Sequence, residues 1–258
     1  MAGGGAKERP GGRWWRRGLL AAAGLVAVVA ACGGGGPKTS PGAVSDAAVP
    51  QNLFVNPGFE GGEAPWSSLA TQVWGTPFQV SREAAHSGQQ SAFLQMRASS
   101  ELGGTGIFGV VQEIAPKEFP ELLSGYYRVE NWQRGTQKQY LQFVVIVWGA
   151  TNLPAGIANY QIRYPLAGIA VEPFAIRNAM FVFIGREQPA KGRWVYFERD
   201  IRQDFQELWG AVPEGFSKIR ILFEVRYEDW VPGSGTPAAD VFYDDLYVGP
   251  REGNPNRP

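Results

Sequence analysis

Residues 218–227 read Lys-Ile-Arg-Ile-Leu-Phe-Glu-Val-Arg-Tyr, with an apolar side chain at every second position. The apolar positions of one parity are Ile219, Ile221, Phe223, Val225 and Tyr227. Successive side chains of a β-strand point to opposite faces of a sheet, so this repeat predicts a strand with one buried face. Residues 139–148 follow the same rule, with the buried parity at Leu141, Phe143, Val145 and Val147.

Glycine and proline separate such runs along the whole domain, as is typical of short strands joined by turns. Only residues 203–210 have helical character. Residues 52–250 have the length of one large β domain. We therefore predict an all-β fold, an antiparallel β-sandwich, over residues 52–250.

Six segments occur in a characteristic order along residues 52–249. They are Asn52–Glu60 followed by Pro65-Trp66, His86–Ser91, Val111–Ile114, Leu123–Arg128, Gly192–Trp194 and Val241–Val248. In this order they resemble the carbohydrate-binding modules of the CBM4/9/22 group, which share a galactose-binding-like jelly roll. The resemblance implies a jelly roll that binds a polysaccharide or oligosaccharide, with Trp66 and Trp194 in its core framework. Residues near 149–191 have no counterpart there and are predicted to be an inserted segment.

A structural calcium ion is a second implication of the resemblance. The corresponding ligands here are Glu60, Asp244 and backbone carbonyls around residues 87–90, Gln90 among them. Oxygen ligands from distant segments suit Ca²⁺. Asp244 has the parity of Leu246 and Val248, which predicts that it points inward, where a carboxylate needs compensation. Hydrogen bonds from turn amides, or a nearby arginine, are the alternative to calcium.

A sugar site needs flat apolar faces that stack on pyranose rings, beside polar groups that bind hydroxyls. If the odd positions of the two strands are core, their even positions line the opposite face of one sheet, and the strand predicted at 123–132 adds its own even positions. The candidate ligand-binding residues are Tyr126, Arg128, Glu130, Trp132, Tyr140, Gln142, Trp148, Arg220, Glu224 and Arg226. The alternative is an outer face in which the arginines and glutamates simply pair with one another. The inserted segment either walls this face or presents a surface to a protein partner.

The sequence offers few residues for catalysis. It contains one histidine, His86, and one cysteine, which removes Ser/His/Asp, Cys/His and His-rich zinc arrangements. A jelly-roll glycoside hydrolase needs only two carboxylic acids, and Glu130 and Glu224 are the candidate pair. The neighbouring Arg128 and Arg226 favour the ionised form of both acids, which suits binding better than acid catalysis. We therefore predict that the protein is not an enzyme.

The first 32 residues predict export and lipid attachment. Five basic residues precede an apolar run over residues 18–31, which is shorter than the roughly 20 residues that a membrane-spanning helix needs. The run closes with Val29-Ala30-Ala31-Cys32, which resembles the lipobox of bacterial lipoproteins. This resemblance implies a signal peptide over residues 1–31 and diacylation of Cys32. Ordinary export with an incidental cysteine is the alternative, and Arg16-Arg17 leaves the general and twin-arginine routes both open.

Charge and composition describe the rest of the mature chain. Without residues 1–31, the 24 basic and 24 acidic residues become 19 and 23, a net charge near −4. No basic stripe remains, so nucleic acid is not an expected partner. Residues 32–51 predict a flexible linker, and residues 251–258 predict a disordered tail. We predict a lipoprotein of the bacterial cell envelope, anchored to the membrane outside the cytoplasm, that binds a glycan. The alternative is a module that docks onto another envelope protein.

Overall fold

The computed structural model describes residues 51–70, 77–98, 103–172 and 176–257. The predicted signal peptide, Cys32 and nearly all of the predicted linker lie outside the described residues. Within the described ranges, no helix has the length and apolarity needed to cross a membrane. All of these residues belong to one compact unit, Ala47–Pro258.

The strands of the described residues form two β-sheets. The strands of sheet A are β1 (Ser67–Ala70), β4 (Gly104–Ile114), β6 (Gln139–Trp148), β7 (Asn159–Ala167), β8 (Ala179–Phe181) and β10 (Lys218–Trp230). They lie in the order β1-β4-β10-β6-β7-β8 and are antiparallel except for the pair β7 and β8. The strands of sheet B are β2 (Gln79–Ser81), β3 (Ser91–Arg97), β5 (Leu122–Gln133), β9 (Trp194–Asp200) and β11 (Ala238–Gly249). They lie in the order β2-β3-β11-β5-β9, and all are antiparallel. The predicted antiparallel β-sandwich is confirmed.

The core between the sheets is built from the parity that the sequence predicted. The odd positions of β6 from Leu141 to Val147, and those of β10 from Ile219 to Tyr227, are all buried in one cluster with apolar residues of sheet B. Phe59 and Trp66 join this cluster, and their rings lie 5.1 Å apart. Trp194 is half-buried and lies outside the cluster, so its predicted place in the core is wrong.

One helix, α1 (Ile201–Trp209), lies within the described residues and overlaps the helix predicted at 203–210. Asp200 caps its amino end by accepting a hydrogen bond from the backbone N–H of Gln203 at 2.8 Å. Gly210 ends it with a positive φ of 89°, which glycine adopts without steric cost. The buried Asp204 is paired with Arg199, so the helix is fixed to strand β9 by an ion pair as well as by apolar packing.

A bulge in β5 reverses the side-chain parity of its second half. Ala239 of β11 pairs with Trp132, whereas Val241 pairs with Val129, so three steps along β5 match two along β11. Trp132 therefore turns to the side of Val129 and packs against the core. The prediction that Trp132 shares a face with Tyr126 is wrong for this reason.

A second bulge lies in β11, at the predicted metal ligand. Asp244 pairs with Tyr126 and Tyr247 pairs with Ser124, and the extra residue on β11 includes Asp245 with a φ of 48°. Leu246 is in the core, but Asp244 precedes the bulge and lies on the outer face of sheet B, beside Tyr126. Asp244 is buried as predicted, but its predicted inward direction is wrong.

The carboxyl-terminal segment packs against sheet B instead of forming the predicted disordered tail. Residues 251–253 form a short 3₁₀ helix, and the buried Asn254 bonds Ser124 at 3.0 Å and Glu198 at 3.0 Å. Arg251 forms ion pairs with Glu121 and Asp200. Composition alone suggested a tail, but these side chains have specific partners on β5 and β9.

The predicted inserted segment supplies two strands to sheet A. Strand β7 pairs with β6 along its length, from Asn159 opposite Trp148 to Ala167 opposite Leu141, and β8 extends the same edge. Pro165 lies next to an irregularity in this pairing, where a missing N–H is tolerated. The segment therefore widens the face of sheet A that carries the candidate site.

Candidate functional site

The structure places nine of the ten predicted ligand-binding residues on two opposite faces of the sandwich, whereas the tenth, Trp132, packs against the core. Six of them lie on neighbouring strands β6 and β10 and share the outer face of sheet A: Tyr140, Gln142, Trp148, Arg220, Glu224 and Arg226. Tyr126, Arg128 and Glu130 lie on β5, on the outer face of sheet B. The ten residues therefore cannot form a single site, and the two faces are considered separately.

The outer face of sheet A has an apolar floor. Val111, Val144 and Leu222 lie side by side on β4, β6 and β10 and are almost completely buried, with Leu69 and Ile146 packed against them. This floor opens into a depression of about 180 Å³, which we call the sheet A depression. Its lining residues are Leu69, Ile107, Val144, Ile146, Gln161, Arg163, Leu222, Glu224 and Arg226.

A buried polar network lies beside this floor. Glu224, which is 1% exposed, accepts hydrogen bonds from Gln142 and from Arg226, the latter at 3.1 Å. Arg226 also pairs with Glu228 at 2.7 Å, and the hydroxyl of Tyr140 donates to Glu228 at 2.8 Å. Burial lowers the pKa of Arg226 and the Glu224 charge raises it, and the balance is upward. The guanidinium of Arg226 is therefore permanently charged, and the carboxylates of Glu224 and Glu228 hold it in place.

Two atoms of this network lack a partner among the described residues. They are Oε1 of Gln142, which is an acceptor, and Nε of Arg226, which is a donor. Buried polar groups are nearly always hydrogen-bonded, so these two buried atoms are exceptions within the network.

One end of the face is an aromatic and charged corner. The ring of Trp148 is half-buried, and the cationic groups of Lys218 and Arg220 each lie 5.1 Å from its centroid. Both cations bond the carboxylate of Glu113, and these hydrogen bonds lower its pKa. Trp148 is thus the one predicted aromatic residue of sheet A that keeps exposed ring surface, since Tyr140 is 1% exposed.

The two polar residues of the lining that come from β7 were missed by the sequence analysis. Gln161 and Arg163 come from β7, and Arg163 lies opposite Val144 of β6. The run Asn-Tyr-Gln-Ile-Arg-Tyr at 159–164 alternates polar and apolar residues, so it carried the same strand signal as β6 and β10. The apolar floor was also readable, because Val144, Ile146 and Leu222 occupy the outward parity.

The outer face of sheet B is an aromatic cluster that the chain itself covers. His86 stacks on Tyr126 with ring centroids 3.5 Å apart, and Trp194 meets His86 edge-on at 5.7 Å. Arg128 pairs with Glu130, and Arg226 pairs with Glu224 on the opposite face. Both ion pairs that the alternative interpretation expects are therefore present.

The predicted metal ligands surround the loop at residues 86–90. Asp244 accepts hydrogen bonds from the backbone N–H of His86 at 2.7 Å and of Asp245 at 2.8 Å. Glu60 accepts two from the backbone N–H groups of residues 89 and 90, both at 2.8 Å. Burial raises the pKa of Asp244 to about 7. No group of three or more acidic, histidine or cysteine side chains in the described residues could hold a metal ion.

These contacts match the alternative to calcium, hydrogen bonds from turn amides. The loop presents N–H donors to both carboxylates, and donors do not ligate a cation. The predicted ligands Glu60, Gln90 and Asp244 are therefore a poor fit to Ca²⁺ in this conformation of the loop. The calcium site stays a prediction.

The candidate acid pair for glycoside hydrolysis is not assembled. Glu224 lies on β10 of sheet A and Glu130 on β5 of sheet B, on the two outer faces of the sandwich. Two carboxyl groups on opposite sides of a sandwich cannot flank one glycosidic bond.

Comparison with known proteins gives structural matches only. No protein-family model and no curated protein matches this chain. Among solved structures, a family 61 carbohydrate-binding module in complex with β-1,4-galactotriose has 15% identity over 77% of this chain and 97% of its own, with a TM-score of 0.40. The family 22 carbohydrate-binding module of Clostridium thermocellum Xyn10B has 9% identity over 77% and 94%, with a TM-score of 0.41. The K3 adhesin domain of Lys-gingipain from Porphyromonas gingivalis has 14% identity over 76% and 98%, with a TM-score of 0.37.

Proposed function

We propose that this chain is a carbohydrate-binding protein without catalytic activity, and that it binds an oligosaccharide or polysaccharide on the outer face of sheet A. The observation that carries the proposal is the pairing, in the sheet A depression, of an apolar floor with a rigid polar network. Pyranose rings have an apolar C–H face and a rim of hydroxyl groups. The half-buried Leu69, Ile107 and Ile146 of the lining match the first, and the network at Glu224 and Arg226 matches the second.

The surroundings of the depression favour a chain of several sugars over a single one. Arg226 lines the sheet A depression, and its partner Glu228 lines a second depression of about 340 Å³. The ion pair thus joins two neighbouring hollows. Trp148, on the same face, supplies exposed aromatic surface for stacking. A linear glycan can lie across these features and contact more than one of them.

The carboxylates of this face form ion pairs with basic side chains, an arrangement that does not suit hydrolysis. Glu224 and Glu228 both pair with Arg226, and Glu113 pairs with Lys218 and Arg220. A glycosidase needs one carboxylic acid that is protonated and free to approach the leaving group. Within the described lining of this face, every carboxylate is held by a cation.

We also propose that Cys32 anchors this domain to the cell membrane outside the cytoplasm. Support comes from the lipobox-like tetrapeptide at 29–32, and the glycine- and proline-containing linker has the composition of a tether. Cells fed a labelled fatty acid should incorporate the label into the full chain and not into its Cys32→Ser variant. Equal labelling of the two proteins would contradict the anchor.

A glycan array, probed with residues 33–258, tests the binding proposal. Ile146→Asp places a charge on the apolar floor, and Trp148→Ala removes the exposed ring. We expect each to weaken glycan binding about tenfold or more, since one buried contact is worth on the order of 1.4 kcal/mol. The matched controls Tyr126→Ala and Arg128→Ala, on sheet B, should bind as the parent does. All variants are first checked for folding by circular dichroism.

If the folded parent protein bound no glycan on the array, the proposal would be overturned. The alternative, an envelope module that docks onto another protein, would then account better for the chain. If only the sheet B variants lost binding, the proposal of carbohydrate binding would stand, but its location on sheet A would be wrong.

A further inference from the structure

The charges that line the sheet A depression do not balance. Its lining contains two arginines and one carboxylate, Glu224. Arg226 is paired with Glu224 and Glu228. Arg163 has no carboxylate partner among the described residues, and its contacts are the amide oxygen of Gln161 and the ring of Phe181, whose centroid lies 5.7 Å away. Arg163 is therefore the one charged side chain of the lining without an oppositely charged partner among the described residues.

The geometry of Arg163 leaves a binding edge free. Its Nε and Nη2 donate to Oε1 of Gln161 at 3.3 and 3.0 Å. A guanidinium has five N–H donors, and no described residue accepts a hydrogen bond from the edge formed by Nη1 and the second hydrogen of Nη2. Two parallel donors on one edge match the two oxygens of a carboxylate.

The side chains behind Arg163 hold it in this orientation. The amide of Gln161 donates to Oδ1 of Asn159 at 2.8 Å, and the amide of Asn178 donates to the same oxygen at 3.1 Å. Phe181 packs against the guanidinium from β8. A cation that is already oriented loses little conformational entropy on binding, which is how a binding site gains affinity.

We propose that the ligand of the sheet A depression is an acidic glycan, and that Arg163 binds the carboxylate of one of its uronic acid units. This inference rests on the proposed function, since it assigns a chemical class to the same site. The apolar floor takes the ring of the sugar, and the free edge of Arg163 takes its charged substituent.

The test uses matched pairs of probes. Oligomers of α-1,4-galacturonate, β-1,4-glucuronate and β-1,4-mannuronate are each compared with the carboxyl-reduced oligomer of the same length, which is neutral. We expect residues 33–258 to bind at least one acidic oligomer about tenfold more tightly than its neutral counterpart. Arg163→Gln should reduce that ratio to about one. Arg163→Lys keeps the charge but not the two parallel N–H donors. Its affinity ratio should lie between those of the parent and of Arg163→Gln.

Two further variants make the result specific. Gln161→Ala keeps the charge of Arg163 but removes its support, so we expect a smaller loss, of about threefold. Arg97→Gln removes an arginine that pairs with Asp240 on sheet B and should leave the ratio unchanged. The acidic preference should also weaken with added salt in the parent and not in Arg163→Gln.

Failure of this inference is distinguishable from failure of the proposed function. Equal affinity for acidic and neutral oligomers, both lost in Ile146→Asp, would overturn the acidic class and retain the site. An acidic preference that survives in Arg163→Gln would overturn the role of Arg163. Absence of binding to every acidic and neutral oligomer, and to the whole array, would overturn both.

Discussion

On the outer face of sheet B, the chain covers its own polar and aromatic residues, whereas on the outer face of sheet A the described residues leave a depression. The loop at 86–90 lies over Asp244 and Tyr126, and the segment at 251–257 bonds Ser124 and Glu198. On sheet A, a similar set of arginines and glutamates surrounds an apolar floor. The comparison teaches that similar residue types can form a face packed against other segments of the chain or a face with an apolar depression.

The largest expected difference between the two faces is the stability lost when one carboxylate charge is removed from each. Glu224→Gln leaves the buried Arg226 with less compensation, and we expect a loss of about 3–5 kcal/mol in the free energy of unfolding. The matched change Glu130→Gln removes a partly exposed partner of Arg128 and should cost at most about 1 kcal/mol. Urea unfolding measures both. Equal costs would mean that the two ion pairs have the same environment, contrary to the burial described here.

The cover of sheet B can be tested at Asn254. Its side chain bonds Ser124, Tyr196 and Glu198, and Ser124 is fully buried. We expect Asn254→Ala to lower the unfolding free energy by about 1–3 kcal/mol, because it leaves buried polar groups unpaired. Asn131→Ala, at an exposed position of β5, should change it by less than about 0.5 kcal/mol. A difference too small to measure would show that residues 251–257 do not hold this conformation in solution.

The buried carboxyl of Asp244 gives sheet B a pH dependence. Its folded pKa of about 7 exceeds the ordinary value of 3.8, so the folded protein binds a proton that the unfolded chain releases. The stability contributed by that proton is complete below pH 4 and is lost as the pH rises through 7. In EGTA, the melting temperature of the parent should therefore fall from pH 5 to pH 8 by more than that of Asp244→Asn. If the melting temperatures of the two proteins fell equally from pH 5 to pH 8, Asp244 would not be the cause of the pH dependence.

Calcium reverses the sign of this effect if the predicted site exists. A bound cation favours the ionised carboxylate, so added calcium should raise the melting temperature, and more at pH 8 than at pH 5. The described amide hydrogen bonds to Asp244 and Glu60 supply the alternative. The same melting temperature in calcium and in EGTA at pH 8 would remove the metal from the account.

Much of the fold could be read from the sequence because alternation is a local property. The parity of Leu141 to Val147 and of Ile219 to Tyr227 predicted two central strands and their buried faces. Two bulges limited the method. The extra residue before Trp132, and the one at Asp245, each reverse the parity of the residues that follow, and a bulge depends on strand pairing that a single run does not specify.

The candidate site was harder to predict than the fold. The even positions of β6 and β10 were recognised, but β5 was assigned to the same surface, because the sequence does not say which strands share a sheet. The role of Arg163 was missed, since the alternation at 159–164 lies in a segment treated as an insertion. The depth of the face was missed as well, because outward parity says nothing about the neighbours that bury Tyr140 and Glu224.

Isothermal titration of the strongest array ligand into two variants tests the central claim most directly. One variant carries Ile146→Asp and Trp148→Ala on sheet A, and the other carries Tyr126→Ala and Arg128→Ala on sheet B. The account predicts that the first loses binding and that the second binds with the Kd of the parent. Binding retained by the first variant and lost by the second would place the site on sheet B and contradict the account.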